Sequence, residues 1–220
     1  RTIRKTFERY VSAHVVERLL ADPTQVSLGG KQQMVTILFA DLRGYTSLAE
    51  TLSPDQLVDV LNGHLNVAAQ AVLAYDGIIS QYAGDLVMAI FNAPLPQEDH
   101  ALRAARAALR LRQGVADYHA GLPPELRMDY GVGIASGEAV VGNIGAKELL
   151  HYTAIGDTVN LAQRLEEIAG GGEVLLTEYT CQLLDVAEIE VEPKGLTQVR
   201  GRSGQVTVYT LLGLAEGESK

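Results

Sequence analysis

Two aspartates interrupt apolar runs in ways that invite a chemical explanation. In "VTILFADLRGYT" (35–46) a run of buried character stops at Asp41 and then turns through Gly44. In "QYAGDLVMAIF" (81–91) Asp85 follows Gly84 between two short strand-like runs, the pattern of a hairpin tip. A hairpin lying beside the first strand brings both carboxylates to one point. Two hard oxygen donors there suit Mg²⁺, which takes one or two carboxylates and completes its shell with phosphate oxygens and water. The glycine after Asp41 lets backbone N–H groups approach an anion, and the start of the next segment can cradle phosphates. The plain alternative is that each aspartate only caps a turn, and either aspartate taken alone favours it.

A second constellation lies in "YTAIGDTVNLAQRLEEIAG" (152–170). Asp157 can cap a helix whose buried side is Val159, Ala162, Leu165 and Ala169. Asn160 and Arg164 are four apart and project from one face of it. An amide beside a guanidinium can hold a sugar oxygen and a phosphate. The alternative is a solvated face with Arg164 paired to Glu167, and on spacing alone that alternative prevails.

The elements that must position these residues alternate along the chain. Val35, Ile37 and Phe39 predict a strand. Ser53, Pro54 and Gln56 supply an N-cap, a first-turn proline and a capping-box partner for a helix reaching toward Gly77. A hairpin follows around Gly84-Asp85, then a helix over about 99–118, then strand-like "MDYGVGIASG" and "EAVVGNIG", the helix near Asp157, and late strands at "EVLLT" and "QVTVYTLL". The order predicts an α/β sandwich of ferredoxin-like, palm-type form, a mainly antiparallel sheet with helices over one face. Ahead of it, Ile3, Phe7, Val11, Val15 and Leu19 repeat at spacing four, so residues 1–33 read as a connector helix and linker from an upstream domain. The main folded unit is expected over 34–213 and a tail over 214–220.

Composition narrows the classes. The chain has 220 residues, 47% hydrophobic and 20% charged, enough for one globular domain with a core. A formal charge of -9 argues against nonspecific binding to nucleic acid or an anionic membrane. The single Cys181 rules out an internal disulfide, and no apolar run approaches the roughly 18 residues of a membrane span. The histidines show no metal spacing. His64, His100 and His119 read as surface helix positions, Cys181 as a small core residue, and Arg103, Arg106, Arg110 and Arg112 as a solvated helix face.

Taken together, "TILFADLRGYTSL", "YAGDLVMAIFNAP", "GIASGEAVVGNIG" and "YTAIGDTVNLAQRLE" closely resemble the class III nucleotidyl cyclases, the adenylate and guanylate cyclase family, in the family's order and at similar spacing. The resemblance runs from about Val35 to Leu212. It implies catalytic domains that pair head to tail as a homodimer, with active sites at the interface. Asp41 and Asp85, helped by the carbonyl of Leu42, would bind two divalent ions, Mg²⁺ or Mn²⁺. Gly44, Tyr45 and Thr46 match the phosphate-contacting turn. From the other chain, Asn160 would orient the ribose and Arg164 would stabilise the transition state. Arg200 falls where the family usually has a lysine for the terminal phosphates, and the exchange is not neutral.

Base selection is where the sequence departs from the family. Adenylate cyclases usually place a lysine at the position of Gln81 and an aspartate or threonine at that of Thr153; guanylate cyclases usually place a glutamate and a cysteine. Thr153 fits the adenylate type and Gln81 fits neither. A glutamine amide donates and accepts, so it can face either purine. The resemblance thus implies an adenylate cyclase making cyclic AMP from ATP, with GTP as the alternative substrate. A catalytically silent nucleotide-binding module is the reading from a different class. It also implies a cytoplasmic output domain, in a full-length protein that carries a sensor and that a membrane tether would not contradict.

Overall fold

The computed structural model describes residues 29–146, 149–185, 187–198 and 205–215. The expected connector helix and Arg200 lie outside them. Eight strands form one sheet in the order β2-β3-β1-β4-β6-β8-β7, with β5 paired to β4. They are β1 (Gly29–Leu42), β2 (Ile78–Ala83), β3 (Leu86–Phe91), β4 (Tyr130–Ala146), β5 (Leu149–Ile155), β6 (Val174–Thr177), β7 (Ile189–Gln198) and β8 (Gln205–Leu214). Only β4 and β6 run parallel; the other pairs are antiparallel. The helices are α1 (Tyr45–Ala49), α2 (Pro54–Leu73), α3 (His100–His119), α4 (Asp157–Ile168) and α5 (Glu178–Gln182).

The expected mainly antiparallel sheet is present, but helices cover both of its faces rather than one. The period of two along β1 divides its side chains. Leu38, Ala40 and Leu42 join Val87, Phe91, Val132 and Ile134 beneath α2 and α3. Val35, Ile37 and Phe39 join Met88, Ile90 and Ala135 beneath Val159 and Ala162 of α4. Glycine makes the second face possible. A Cβ on Gly133 would lie 2.2 Å from the Glu166 nitrogen and 2.3 Å from the Ala162 oxygen, so the backbone of α4 rests directly on β4.

The capping box at Ser53 and Gln56 forms as read, but α2 stops at Leu73, and a turn through Asp76 at φ 56 carries the chain to Gly77. β1 begins at Gly29, inside the stretch read as linker, because Gly29–Gln33 pair with Ala139–Asn143. A Cβ on Gly142 would lie 2.2 Å from the Gly29 carbonyl, so polar, glycine-rich composition here marks a close strand pair and not a loop. β7 and α5 had no counterpart in the pattern reading. Alanines 101, 104, 105, 107 and 108 let α3 settle close on the sheet. Three of its four arginines are tied down: Arg103 pairs with Asp76 and Asp99, Arg106 with Glu188, and Arg112 donates to the Leu211 and Leu212 carbonyls, while Arg110 is exposed. His64 and His100 are buried, contrary to the surface expectation, and Cys181 is half-buried.

Candidate active site

Asp41 sits one residue short of the end of β1, opposite Gly131 of β4. On its other side Ala40 pairs with Val87 of β3, so the turn that carries Asp85 between β2 and β3 arrives beside Asp41. The two carboxyls are within hydrogen-bonding reach of each other. Burial, then the charge of Asp85, push the Asp41 carboxyl up to about 7, while the Arg43 guanidinium pulls the other way. Two facing carboxylates at one sheet end form a donor set that a divalent cation satisfies. Asp41, Asp85 and the backbone carbonyl of Leu42 are the residues that could hold it. The Leu42 side chain is itself buried in the core.

Gly44 follows at φ 88, a left-handed conformation that suits glycine, and opens the five-residue α1. Tyr45 leans against the core and Thr46 is exposed.

Gln81 and Thr153 come from different strands, and the structure brings their neighbourhoods together. Register shifts between Ile79 and Gln81, leaving Ser80 as a bulge that re-aims the strand. The Ser80 hydroxyl lies 2.7 Å from the Thr153 hydroxyl and 3.2 Å from the Tyr152 carbonyl. Ser80 is the donor in both contacts, so Thr153 accepts from it and keeps its own O–H and a second lone pair free. Gln81 itself is exposed.

Asn160 and Arg164 lie on α4, four residues apart, Asn160 exposed and Arg164 half-buried. The helix is fixed by Val159, Ala162 and Leu165 inward and by the Thr158 hydroxyl donating to the Glu138 carbonyl at 2.8 Å. The pair of Arg164 with Glu167 that the sequence allowed is not made, and among the described residues neither Asn160 nor Arg164 contacts Asp41 or Asp85 through a hydrogen bond or ion pair. One chain therefore presents two half-sets of chemical groups, the carboxylates at the end of β1 and the amide and guanidinium on α4.

Two residues of this region escaped the sequence reading. Arg43 bonds Asp41 at 3.1 Å and Glu166 at 2.7 Å. Glu166 is 4% exposed, and burial raises its carboxyl while Arg43 lowers it. The signal was available: Glu166 falls four residues after Ala162, on the apolar stripe, where a charge needs a partner.

The chain matches the family model described as the adenylate and guanylate cyclase catalytic domain over residues 29–213. It is 35% identical to adenylate cyclase 1 of Rhizobium meliloti over 217 residues, 95% of this chain and 32% of that protein. It spans about a third of the length of the curated relatives it matches. Among solved structures it is similar to the adenylyl cyclase CyaB from P. aeruginosa, at TM-score 0.78 and 34% identity, covering 84% of this chain and 96% of that one. It is as similar to the guanylyl cyclase Cya2, at TM-score 0.78 and 31% identity, covering 87% and 98%. With the motifs, the sheet and the family match in agreement, the chain belongs to the class III nucleotidyl cyclase catalytic domains.

Proposed function

We propose that this chain is a catalytic domain that converts ATP to 3′,5′-cyclic AMP and pyrophosphate at the interface of a head-to-tail homodimer, as the output of an upstream sensor. The observation that carries the reading is the split of the groups: Asp41 and Asp85 meet at one sheet end, and Asn160 with Arg164 stand apart from them on α4. Two copies arranged head to tail would complete each half-set with the other.

Asp41, Asp85 and the Leu42 carbonyl would hold Mg²⁺ or Mn²⁺, two ions per site. Bound there, the ions would lower the pKa of the ribose 3′-OH and neutralise the departing pyrophosphate. The remaining work belongs to the chain. Gly44, Tyr45 and Thr46 offer backbone and side-chain donors to the phosphates, and Arg200 adds a cation for the terminal ones. Asn160 from the partner fixes the ribose. Arg164 meets the negative charge that builds as the 3′ oxygen bonds the α-phosphorus and the bond to pyrophosphate breaks.

ATP is favoured by Thr153, which accepts from Ser80 and keeps one lone pair for the amino group of adenine and its O–H for a ring nitrogen. A second reading, GTP to cyclic GMP, has its own observation in Gln81, an exposed amide that can turn to pair with guanine.

Product chromatography tests the assignment. The purified domain is incubated with ATP or GTP and Mg²⁺ or Mn²⁺, with Asp85→Asn as control. Cyclic AMP that vanishes in the control is the expected result. Cyclic GMP as the main product would make Gln81 a guanine reader, and no cyclic product with nucleotide still bound would reduce the domain to a binding module. Mixing Asp85→Asn with Arg164→Ala chains checks the dimer: half of randomly formed dimers carry one intact site of two, so activity should return to about a quarter of wild type.

A further inference from the structure

The chemistry above gives Arg43 no part, although it stands two residues after Asp41. Its backbone N–H donates to the Asp129 carbonyl at 2.9 Å. Its Nε donates to the Ala169 carbonyl at 2.9 Å, and Nη2 donates to the Glu166 carboxylate at 2.7 Å and also to the Glu166 carbonyl. The remaining nitrogen, Nη1, donates to Oδ2 of Asp41 at 3.1 Å. The two carbonyls end α4, where unpaired oxygens carry the negative pole of the helix. α4 has no basic residue in its own last turn, so Arg43 supplies that cation from the end of β1. The sequence leaves room for it, since a Cβ on Gly131 would lie 2.3 Å from Nη2.

A guanidinium is a rigid planar fork. With Nε and Nη2 engaged on α4, its plane is fixed, and so are the directions of the two N–H groups on Nη1. One of them holds Oδ2 of Asp41, on the carboxyl that Asp85 also faces.

We propose that Arg43 is a positioning residue that clamps the Asp41 carboxylate to the C-terminal end of α4, orienting it for the metal and tying the metal half-set to the helix that carries Asn160 and Arg164. The proposal rests on the reading of Asp41 as a metal ligand. It also links the two sites of the dimer, because α4 would serve the partner's metals while Asp41 binds its own chain's.

Two effects compete. A cation beside a metal ligand repels the metal, and an outer partner of a carboxylate ligand orients it. Asp41 and Arg43 side chains are each 29% exposed, so water screens the repulsion. Orientation then prevails, and loss of such partners typically weakens metal binding by about 10–100-fold.

The test is binding of Mn²⁺ alone, followed by electron paramagnetic resonance, to wild type, Arg43→Lys and Asp41→Asn. Lysine keeps the charge but cannot span the four acceptors. Arg43→Lys with native circular dichroism should bind Mn²⁺ roughly 10–100-fold more weakly than wild type, and Asp41→Asn should show none of this binding. Equal or tighter binding by folded Arg43→Lys overturns the proposal and leaves Arg43 a helix cap. A measurement on wild type alone guards against a variant that does not fold: Mn²⁺ should slow amide exchange over residues 165–169 more than over α2, and no difference overturns the clamp. Cyclic product is assayed alongside. Wild type that neither binds Mn²⁺ nor turns over removes the catalytic reading and the proposal with it. Wild type that does both, with Arg43→Lys indistinguishable, removes the proposal only.

Discussion

The carboxyl of Asp41 faces the carboxyl of Asp85 within hydrogen-bonding reach, across the end of the sheet where β1 and the β2–β3 turn meet. The pair holds a proton to about pH 7, chiefly through burial and then the neighbouring charge. Its sign gives a prediction. The ordinary carboxyl value is 3.8 and the folded value is higher, so the metal-free fold binds the proton more tightly than the unfolded chain. This contribution is full below about pH 4 and is lost as pH rises through about 7. Denaturant titration should therefore show Mn²⁺ stabilising the domain more at pH 8 than at pH 5.5, and Mn²⁺ affinity should climb over the same interval. Asp85→Asn should weaken both trends, because the burial of Asp41 remains, and a variant that keeps them in full would exclude the neighbouring charge as a source.

The contact between Ser80 and Thr153 predicts a selectivity effect with no direct contact to the phosphates. Removing the Ser80 hydroxyl takes away the donor that holds the Thr153 hydroxyl and frees it to rotate. Ser80→Ala should lower the ratio of kcat/KM for ATP over GTP by about 2–10-fold, the worth of one neutral hydrogen bond. An unchanged ratio would leave Gln81 as the residue that sets base choice.

Gly133 tests whether α4 must lie directly on β4. Its missing Cβ would meet the backbone of Ala162 and Glu166, which cannot swing aside as a side chain can. Gly133→Ala should cost about 1–3 kcal/mol of stability, and activity should fall further than stability does, because Arg164 rides on the same helix. Gly213, with nothing within 4 Å, is the control position. A Gly133→Ala protein as stable and active as wild type would mean the helix can lift without consequence.

The positions of Asp41, Asp85, Asn160 and Arg164 were legible because each sits where an apolar pattern stops or a helical face repeats, and those patterns place residues on elements. The neighbourhood of Gln81 and Thr153 was legible only through resemblance. Their proximity depends on a bulge at Ser80, and no local pattern announces a bulge. Arg43 and Glu166 were missed for a related reason: a buried ion pair between residues 123 positions apart leaves only an unexplained charge at each end. The second helical face was missed because "MDYGVGIASG" reads only as a strand, whereas the missing Cβ at Gly133 is what admits a helix. His64 was misplaced because charge and helix periodicity disagreed, and burial of a neutral imidazole satisfied both.

That burial predicts the domain's response to acid. His64 has no exposed surface, its Nδ1–H donates to the Val60 carbonyl at 2.8 Å, and its Nε2 has no hydrogen-bond partner among the described residues. Tyr118 and His119 stand edge-on to the ring at 5.0 and 5.8 Å between centroids. Burial lowers its pKa first, with the His119 charge a smaller influence in the same direction. His100 is lowered too, by burial, while its Nδ1 lies 2.6 Å from the Thr36 hydroxyl. Both rings fold neutral, and the unfolded chain takes up protons below about 6.5 that the folded chain refuses. The histidine contribution should be level above that pH and fall as pH drops below it, opposite in sign to the Asp41 trend over the same interval, so the two partly offset each other below about 6.5. His64→Phe keeps an aromatic ring in the cavity and gives up one bond to Val60. It should be less stable than wild type at pH 7.5 and lose less between pH 6.5 and 5, with His100 accounting for the slope that remains. Parallel curves for the two proteins would show that His64 is protonated as readily in the fold as out of it.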